Sequence, residues 1–319
     1  MLRVGLIGAG NIAQTHLRAI AGTADVRLTA VCDVVEQRAR EAAQNYGGKP
    51  YTDYRTMLEQ EDLQALFICV PPDAHSTMEE EAAARGVHLL VEKPVTLTLE
   101  EARRKQAAIE QAGIIAAAGY CLRYSPLVDK VREWLGQGFQ TVLAEARYWG
   151  GTPEAPWWPD YAKSGGQLVE QTTHVVDLLR FLVGEVAEVQ AQYTRAAAPD
   201  DPAFTVPTAG SVSLRFTGGA VGTISTSCVV GAFEAGVNLL GPDGAIRYTY
   251  GEASLIRGRN TVTEKPTGDM YAIQDRAFLK AVATGDTSLL RCTYADAVKT
   301  LALTLAANQS AAEGHPVNL

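Results

Sequence analysis

The chain has 319 residues, more than one hydrophobic core usually organises, so two domains are expected. It is 47% hydrophobic and 20% charged, the balance of a globular protein, and its formal net charge of -8 comes without a long run of one sign. That balance argues against nucleic acid or an anionic membrane as a partner, since both reward basic patches. Five cysteines (Cys32, Cys69, Cys121, Cys228 and Cys292) form no C-x-x-C pair, which points to reduced thiols and no structural metal site. The opening runs straight into a strand pattern rather than a signal peptide, and no apolar run is long enough to span a bilayer. A cytoplasmic protein is expected.

Residues 3–7, 27–32, 65–70 and 88–91 are short, β-branched or leucine-rich runs that predict buried strands. Between them, residues 12–21, 36–46, 76–85 and 100–111 carry helical spacing, the last opened by a capping box from Thr98 to Glu101. Residues 114–118 supply a closing strand. Alternation of this kind specifies a doubly wound parallel α/β sheet. Past Tyr120 the grammar changes: a helix at 127–135, a strand at 142–148, and a loop rich in Gly, Pro and Trp from 150 to 166. A strongly apolar helix at 169–182 stops at Gly184. Alternating runs such as 211–216, 220–227 and 236–240, parted by turns such as Pro-Asp-Gly, then predict antiparallel strands. Helices at 271–283 and 294–312 finish the chain. The division expected is a dinucleotide-binding domain over 1–120 and, over 121–319, an α+β domain with a mainly antiparallel open sheet.

Gly8-Ala9-Gly10-Asn11-Ile12-Ala13 follows the first strand and opens the first helix. Gly8 permits the tight turn, Gly10 lets backbone approach a pyrophosphate, and Ala13 allows close helix–strand packing. The helix start at Asn11 and Ile12 supplies N–H donors for the anion. Asp33 ends the second strand, where an acid bonds the adenosine ribose and repels a 2′-phosphate. NAD is therefore favoured, with Arg38 as the residue that would admit NADP. Val70-Pro71-Pro72-Asp73-Ala74-His75 and Glu92-Lys93-Pro94 leave strands at the edge where open α/β sheets bind ligands. Val70, Pro71, His75, Glu92 and Lys93 are accordingly candidate cofactor contacts, although His75 reads equally well as an ordinary helix-start residue.

In the second domain, Glu170, His174 and Asp177 fall at i, i+4 and i+7 and would share one face of the 169–182 helix. Three polar groups on a buried helix are either a satisfied network or a site, and a histidine backed by a carboxylate favours the site. Asp177 reads as a supporting partner. Tyr120, Arg123 and Tyr124 sit at the domain seam, where substrate contact and packing with ion pairing are equal readings. Trp158 and Tyr161, in the loop before the helix, are candidate sugar-stacking residues, with loop packing or a subunit contact as the alternative.

These segments resemble the glucose–fructose oxidoreductase, inositol dehydrogenase and rhizopine catabolism family, abbreviated Gfo/Idh/MocA. The resemblance rests on GAGNIA with Asp33, CVPPDAH, VEKPVTLTLEEA, GYCLRYSP over 119–126 and GGQLVEQTTHVVDLLRFLVGEV over 165–186. It implies a catalytic lysine at Lys93 and an acid/base histidine at His174. The acid normally one turn earlier, in D-x-G-x-H, is here Glu170, with Thr172 in place of glycine. It further implies a substrate contact at His174 and a homodimer or homotetramer. The function expected is hydride transfer between nicotinamide and a secondary alcohol or ketone of a sugar, polyol or cyclitol-like molecule. His174 would take the hydroxyl proton, Lys93 would stabilise the alkoxide, and Glu170 would orient one of them. Redox-neutral glycoside cleavage with tightly held NAD and non-catalytic dinucleotide sensing are the alternatives.

Overall fold

The computed structural model describes residues 1–319, and its contacts divide the chain into two compact units. One joins Met1–Cys121 to Asp269–Val298, and the other joins Leu122–Gly268 to Lys299–Leu319. A single break after residue 120 therefore leaves out a return crossing: the segment from Asp269 comes back to the first unit.

The first unit begins β1 (Leu2–Ile7), α1 (Asn11–Ala21), β2 (Val26–Cys32), α2 (Glu36–Tyr46), β3 (Lys49–Tyr51) and α3 (Tyr54–Gln60). It continues β4 (Ala65–Ile68), α4 (Met78–Ala83), β5 (His88–Val91), α5 (Leu99–Ala112) and β6 (Ala116–Ala118). The six strands pair in parallel in the order β3-β2-β1-β4-β5-β6. Strand order reverses beside β1, which touches both β2 and β4, so the chain leaves β1 at the switch point where such sheets bind ligands. β3 escaped sequence reading because three residues carry no alternation, and its Pro50 is tolerated only because the strand lies at the edge. The capping expectation holds for α5: Thr98 Oγ1 accepts the Glu101 N–H at 3.2 Å.

The second unit runs α6 (Pro126–Gly136), β7 (Leu143–Trp149), α7 (Tyr161–Ser164), α8 (Gln167–Glu170) and α9 (Thr173–Val183). Strands β8 (Val186–Thr194), β9 (Ala209–Phe216), β10 (Val221–Ser227), β11 (Glu234–Gly241), β12 (Gly244–Thr249), β13 (Ala253–Arg257) and β14 (Asn260–Glu264) follow. The chain then passes through α10 (Met270–Thr284), which belongs to the first unit, and ends with α11 (Tyr294–Glu313) and β15 (Val317–Asn318). The nine-stranded sheet is ordered β14-β13-β12-β11-β7-β10-β9-β8-β15 and is antiparallel except for the parallel pair β7/β10. Its faces alternate as one-sided sheets do: Val212, Leu214 and Phe216 of β9 are buried, while Ser211, Ser213 and Arg215 are exposed. On the buried side α9 packs on β7 and β11, and α6 packs on β12 and β13.

α10 returns to pack on α1. Its Phe278 and Leu279 join Leu6, Leu17, Ile20, Phe67 and Leu90 in one core, with the Phe278 ring edge-on to Phe67 at 5.5 Å. All five cysteines are buried and free, and no helix is long and apolar enough to cross a membrane.

Candidate active site

Gly8 holds φ +87°, and a Cβ there would lie 2.5 Å from the Cys69 carbonyl oxygen, so this position admits glycine for two separate reasons. Gly10 differs. A Cβ at Gly10 would meet no protein atom within 4 Å, so nothing in the chain itself demands glycine there. What the missing methyl leaves is open space beside the start of α1, whose N-cap Gly10 offers no side-chain acceptor to the first-turn N–H groups. Asn11 is exposed and Ile12 half-buried at this start. The Asp33 carboxylate accepts the Ala9 N–H through Oδ2 and the Val35 N–H through Oδ1, each at 2.8 Å. It is thereby locked beside the glycine turn, and each oxygen keeps a second lone pair for a ribose hydroxyl. These features fit a dinucleotide: donors for the pyrophosphate, room at Gly10, and an ordered acceptor at the end of β2. Arg38 is exposed on the first turn of α2.

Val70 and Pro71 are half-buried just past β4. His75 is buried, with Nδ1 2.6 Å from Glu79 Oε1; Glu79 also meets the wholly buried Lys105 ammonium at 2.8 Å. That ring is fixed by a network inside the unit. Lys93 lies two residues past the end of β5, is half-buried, and precedes a cis peptide to Pro94. The Glu92 carboxylate points inward: Oε2 accepts the Lys93 backbone N–H at 3.1 Å and Oε1 lies 3.1 Å from His16 Nε2.

In the second unit the expected single helix is two. α8 ends at Glu170, and α9 starts at Thr173. At the joint the Thr172 N–H reaches back five residues to the Gln167 carbonyl (2.8 Å), the insertion that marks a π-type bulge. Side chains hold the break open. The Thr172 and Thr226 hydroxyls meet at 2.6 Å, Thr226 donates to Gln167 Oε1 at 2.6 Å, and Gln167 Nε2 donates to the Ser227 carbonyl at 2.8 Å. Glu170 and His174 are therefore not successive turns of one helix face, as their spacing suggested. Instead Glu170 Oε2 accepts the indole N–H of Trp158 at 2.7 Å. Trp158 is 0% exposed, which corrects the expectation of a sugar-stacking ring: a buried indole has no free face. Tyr161, at the start of α7, is 38% exposed and keeps one.

Asp177 lies on α9 one turn past His174 and is fully buried. Its carboxylate receives Arg123 Nε at 2.7 Å, Arg123 Nη2 at 2.6 Å and the Thr300 hydroxyl at 2.8 Å. Burial pushes the Asp177 carboxyl pKa up, and Arg123, Thr300 and Arg180 pull it part of the way back. The Arg123 guanidinium also stacks over Phe181 at 4.8 Å. Arg123 is thus a bidentate strut of the second unit, and of its two readings from sequence the ion pair is the one in place. Tyr120 and Tyr124 are both buried.

Residues 2–120 match the family model described as oxidoreductase family, NAD-binding Rossmann fold, and residues 130–247 match the Gfo/Idh/MocA C-terminal domain. A myo-inositol 2-dehydrogenase of Thermotoga maritima is 30% identical over 77% of this chain and 74% of its own length. The chain belongs to the Gfo/Idh/MocA oxidoreductase family. An uncharacterised oxidoreductase of Bacillus subtilis, YrbE, is 28% identical over 99% of this chain and 96% of its own. Among solved structures, the WlbA dehydrogenase of Bordetella pertussis in complex with NADH and UDP-GlcNAcA superposes with a TM-score of 0.86. It is 25% identical, covering 100% of this chain and 98% of that one. As a Gfo/Idh/MocA member, this protein is an NAD-dependent oxidoreductase, and its first unit is the NAD-binding Rossmann domain.

The partners of two groups around this family's motif residues escaped sequence reasoning. Trp158 had a signal, since a tryptophan twelve residues before a half-buried carboxylate can supply its donor, but the loop between them gives no spacing rule. His16, on α1, carried no signal because its partners Glu92 and Asp275 are 76 and 259 residues away in the chain.

Proposed function

We propose that this oxidoreductase interconverts a secondary alcohol and a ketone on a sugar, polyol or cyclitol-like ring. NAD, held by the first unit, supplies the acceptor or donor of the hydride. In the oxidising direction, neutral His174 takes the hydroxyl proton, a task suited to an imidazole of ordinary pKa near 6.5. The Lys93 ammonium stabilises the negative charge that develops on the hydroxyl oxygen as its proton leaves. Glu170 completes the set by orienting His174 or Lys93, its carboxylate steadied by Trp158. Substrate loses one hydride and one proton, and His174 releases that proton to water afterwards. Tyr161, with its open ring face, is the aromatic residue proposed to meet the substrate. The protein works in the cytoplasm as a homodimer or homotetramer.

The observation that carries this reading is the placement of Lys93 two residues past β5, on the ligand-binding edge of a sheet where the open space at Gly10 and the Asp33 carboxylate fit a dinucleotide. The hydroxylated-ring substrate is supported by the relatives: one is a myo-inositol dehydrogenase, and another was solved with a nucleotide sugar. A dehydrogenase screen of cyclitols, anhydrosugars, aldoses, sugar acids and amino sugars with NAD and NADP tests it. Turnover with NAD on at least one ring alcohol is expected. No turnover on the whole panel, with NAD bound, overturns it.

A further inference from the structure

We propose that His16 is a positioning residue for Lys93: wedged between Asp275 and Glu92, it holds the Glu92 carboxylate against the Lys93 backbone and so fixes where the lysine side chain begins. The inference rests on the reading of Lys93 given above. His16 is wholly buried on α1. Its Nδ1 lies 2.8 Å from Asp275 Oδ2 on α10, and its Nε2 lies 3.1 Å from Glu92 Oε1. A neutral imidazole carries a proton on only one ring nitrogen, so it would turn a lone pair toward one of the two carboxylates. With both carboxylates ionised, the geometry satisfies both only as an imidazolium.

The surroundings agree. Burial by itself lowers the His16 pKa, but Asp275 first and Glu92 second overcome it and raise it to about 10. Other groups face the ring or its carboxylates. Gln274 Nε2 donates to Asp275 Oδ1 at 3.3 Å, and the Phe67 and Tyr271 rings lie 5.4 and 6.3 Å from the imidazole. Cys69 and Cys121 are pushed up, by burial first and then by the Glu92 and Asp275 charges; at Cys121 the Tyr271 hydrogen bond and the Lys93 charge pull the other way. Both carboxylates thus act over the same small region that holds Lys93.

From Glu92 the chain of contacts reaches the site within one residue. Oε2 takes the Lys93 N–H, and Gly119 closes the far side, where a Cβ would come within 2.5 Å of Oε1. The carboxylate is held by His16, by the Lys93 backbone and by the close approach of Gly119. A buried cation between two carboxylates is weak evidence for stability, because apolar replacements of such clusters are often neutral. Its location beneath residue 93 is what gives it a use. The competing role is a latch that only ties α10 to α1.

The test compares wild type, His16→Asn and Lys93→Ala for NAD affinity, thermal midpoint and kcat against pH, using the panel ring alcohol with the highest NAD-linked turnover. In His16→Asn, Glu92 and Asp275 lose the cation between them and face one another as like charges. The expected result is NAD affinity within about twofold of wild type, kcat lowered about tenfold or more (about 1.4 kcal/mol), and a new acidic limb in its pH profile. If kcat and its pH profile stay as in wild type while only the thermal midpoint falls, His16 is a latch and the proposal is overturned. If Lys93→Ala itself keeps wild-type turnover, it is the Lys93 reading that fails, a different outcome. Should His16→Asn not fold, His16→Gln carries the same comparison. Nitrogen NMR of histidine-labelled wild-type protein adds a check that needs no variant: finding only one protonated ring nitrogen on His16 at pH 8 overturns the proposal.

Discussion

Replacing Arg123 with methionine separates a structural strut from a substrate contact. Methionine keeps much of the apolar stem but removes both donors to Asp177, leaving a fully buried carboxylate with the Thr300 hydroxyl at 2.8 Å and Arg180 Nη1 at 3.9 Å. Breaking one side of a buried pair costs about 3–5 kcal/mol, and the surviving partners place this site near the lower end. Loss of the stack on Phe181 adds about 0.5–1 kcal/mol. At an m value of about 2 kcal/mol per molar urea, the expected loss of about 3–4 kcal/mol lowers the midpoint by about 1.5–2 M. Tryptophan fluorescence isolates the right unit, because Trp134, Trp149, Trp157 and Trp158 all lie in the second one. The deficit narrows as pH falls: a raised carboxyl pKa means that the folded state takes up the proton first. Adding Asp177→Leu recovers at least half of the loss, since both charges then leave together. A midpoint within about 0.3 M of wild type, with a raised KM, would refute the strut and return Arg123 to the substrate.

Four further outcomes follow from contacts already described. Gly8→Ala lowers stability by about 1–3 kcal/mol, because it strains the backbone and strikes the Cys69 carbonyl. Gly10→Ala leaves the thermal midpoint alone yet weakens NAD binding about tenfold or more, and equal NAD affinity in titration would mean that the cofactor does not approach Gly10. Trp158→Phe removes a charge-assisted hydrogen bond to Glu170 worth about 1.5–3 kcal/mol. Steady-state kinetics should show a lower kcat with NAD affinity kept, and unchanged kcat and KM would mean that this bond does not place Glu170. Because the folded-state pKa of His16 is raised, its stabilisation is complete below about pH 6.5 and is lost as pH rises through about 10. Hydrogen exchange in α1 should therefore accelerate across that window in wild type, and His16→Asn should lack that component.

The first unit was the more legible because its strands are continuous apolar runs and its glycine turn has a spacing rule. Gly8, Asp33 and the Thr98 cap stand where that rule puts them. β3 was missed for want of length, and the return of α10 to α1 was missed because Phe278 and Leu279 carry no mark of which core they enter. In the second unit, helical periodicity ran through Gln171 and Thr172 without a sign of the break, since the bonds that open it come from Thr226 on a distant strand. Trp158 was read by its ring, whereas its indole N–H is what the fold uses. Patterns along the chain reveal elements and motif residues; they do not reveal partners drawn from far along it.

Lys93 and His174 carry the two proposed catalytic roles. The most direct test is NADH formation by Lys93→Ala and His174→Asn on the best ring alcohol of the panel, with NAD affinity measured alongside. Each variant is predicted to bind NAD as wild type does and to lose about 100-fold or more in kcat. Turnover by either variant within about threefold of wild type would contradict the account.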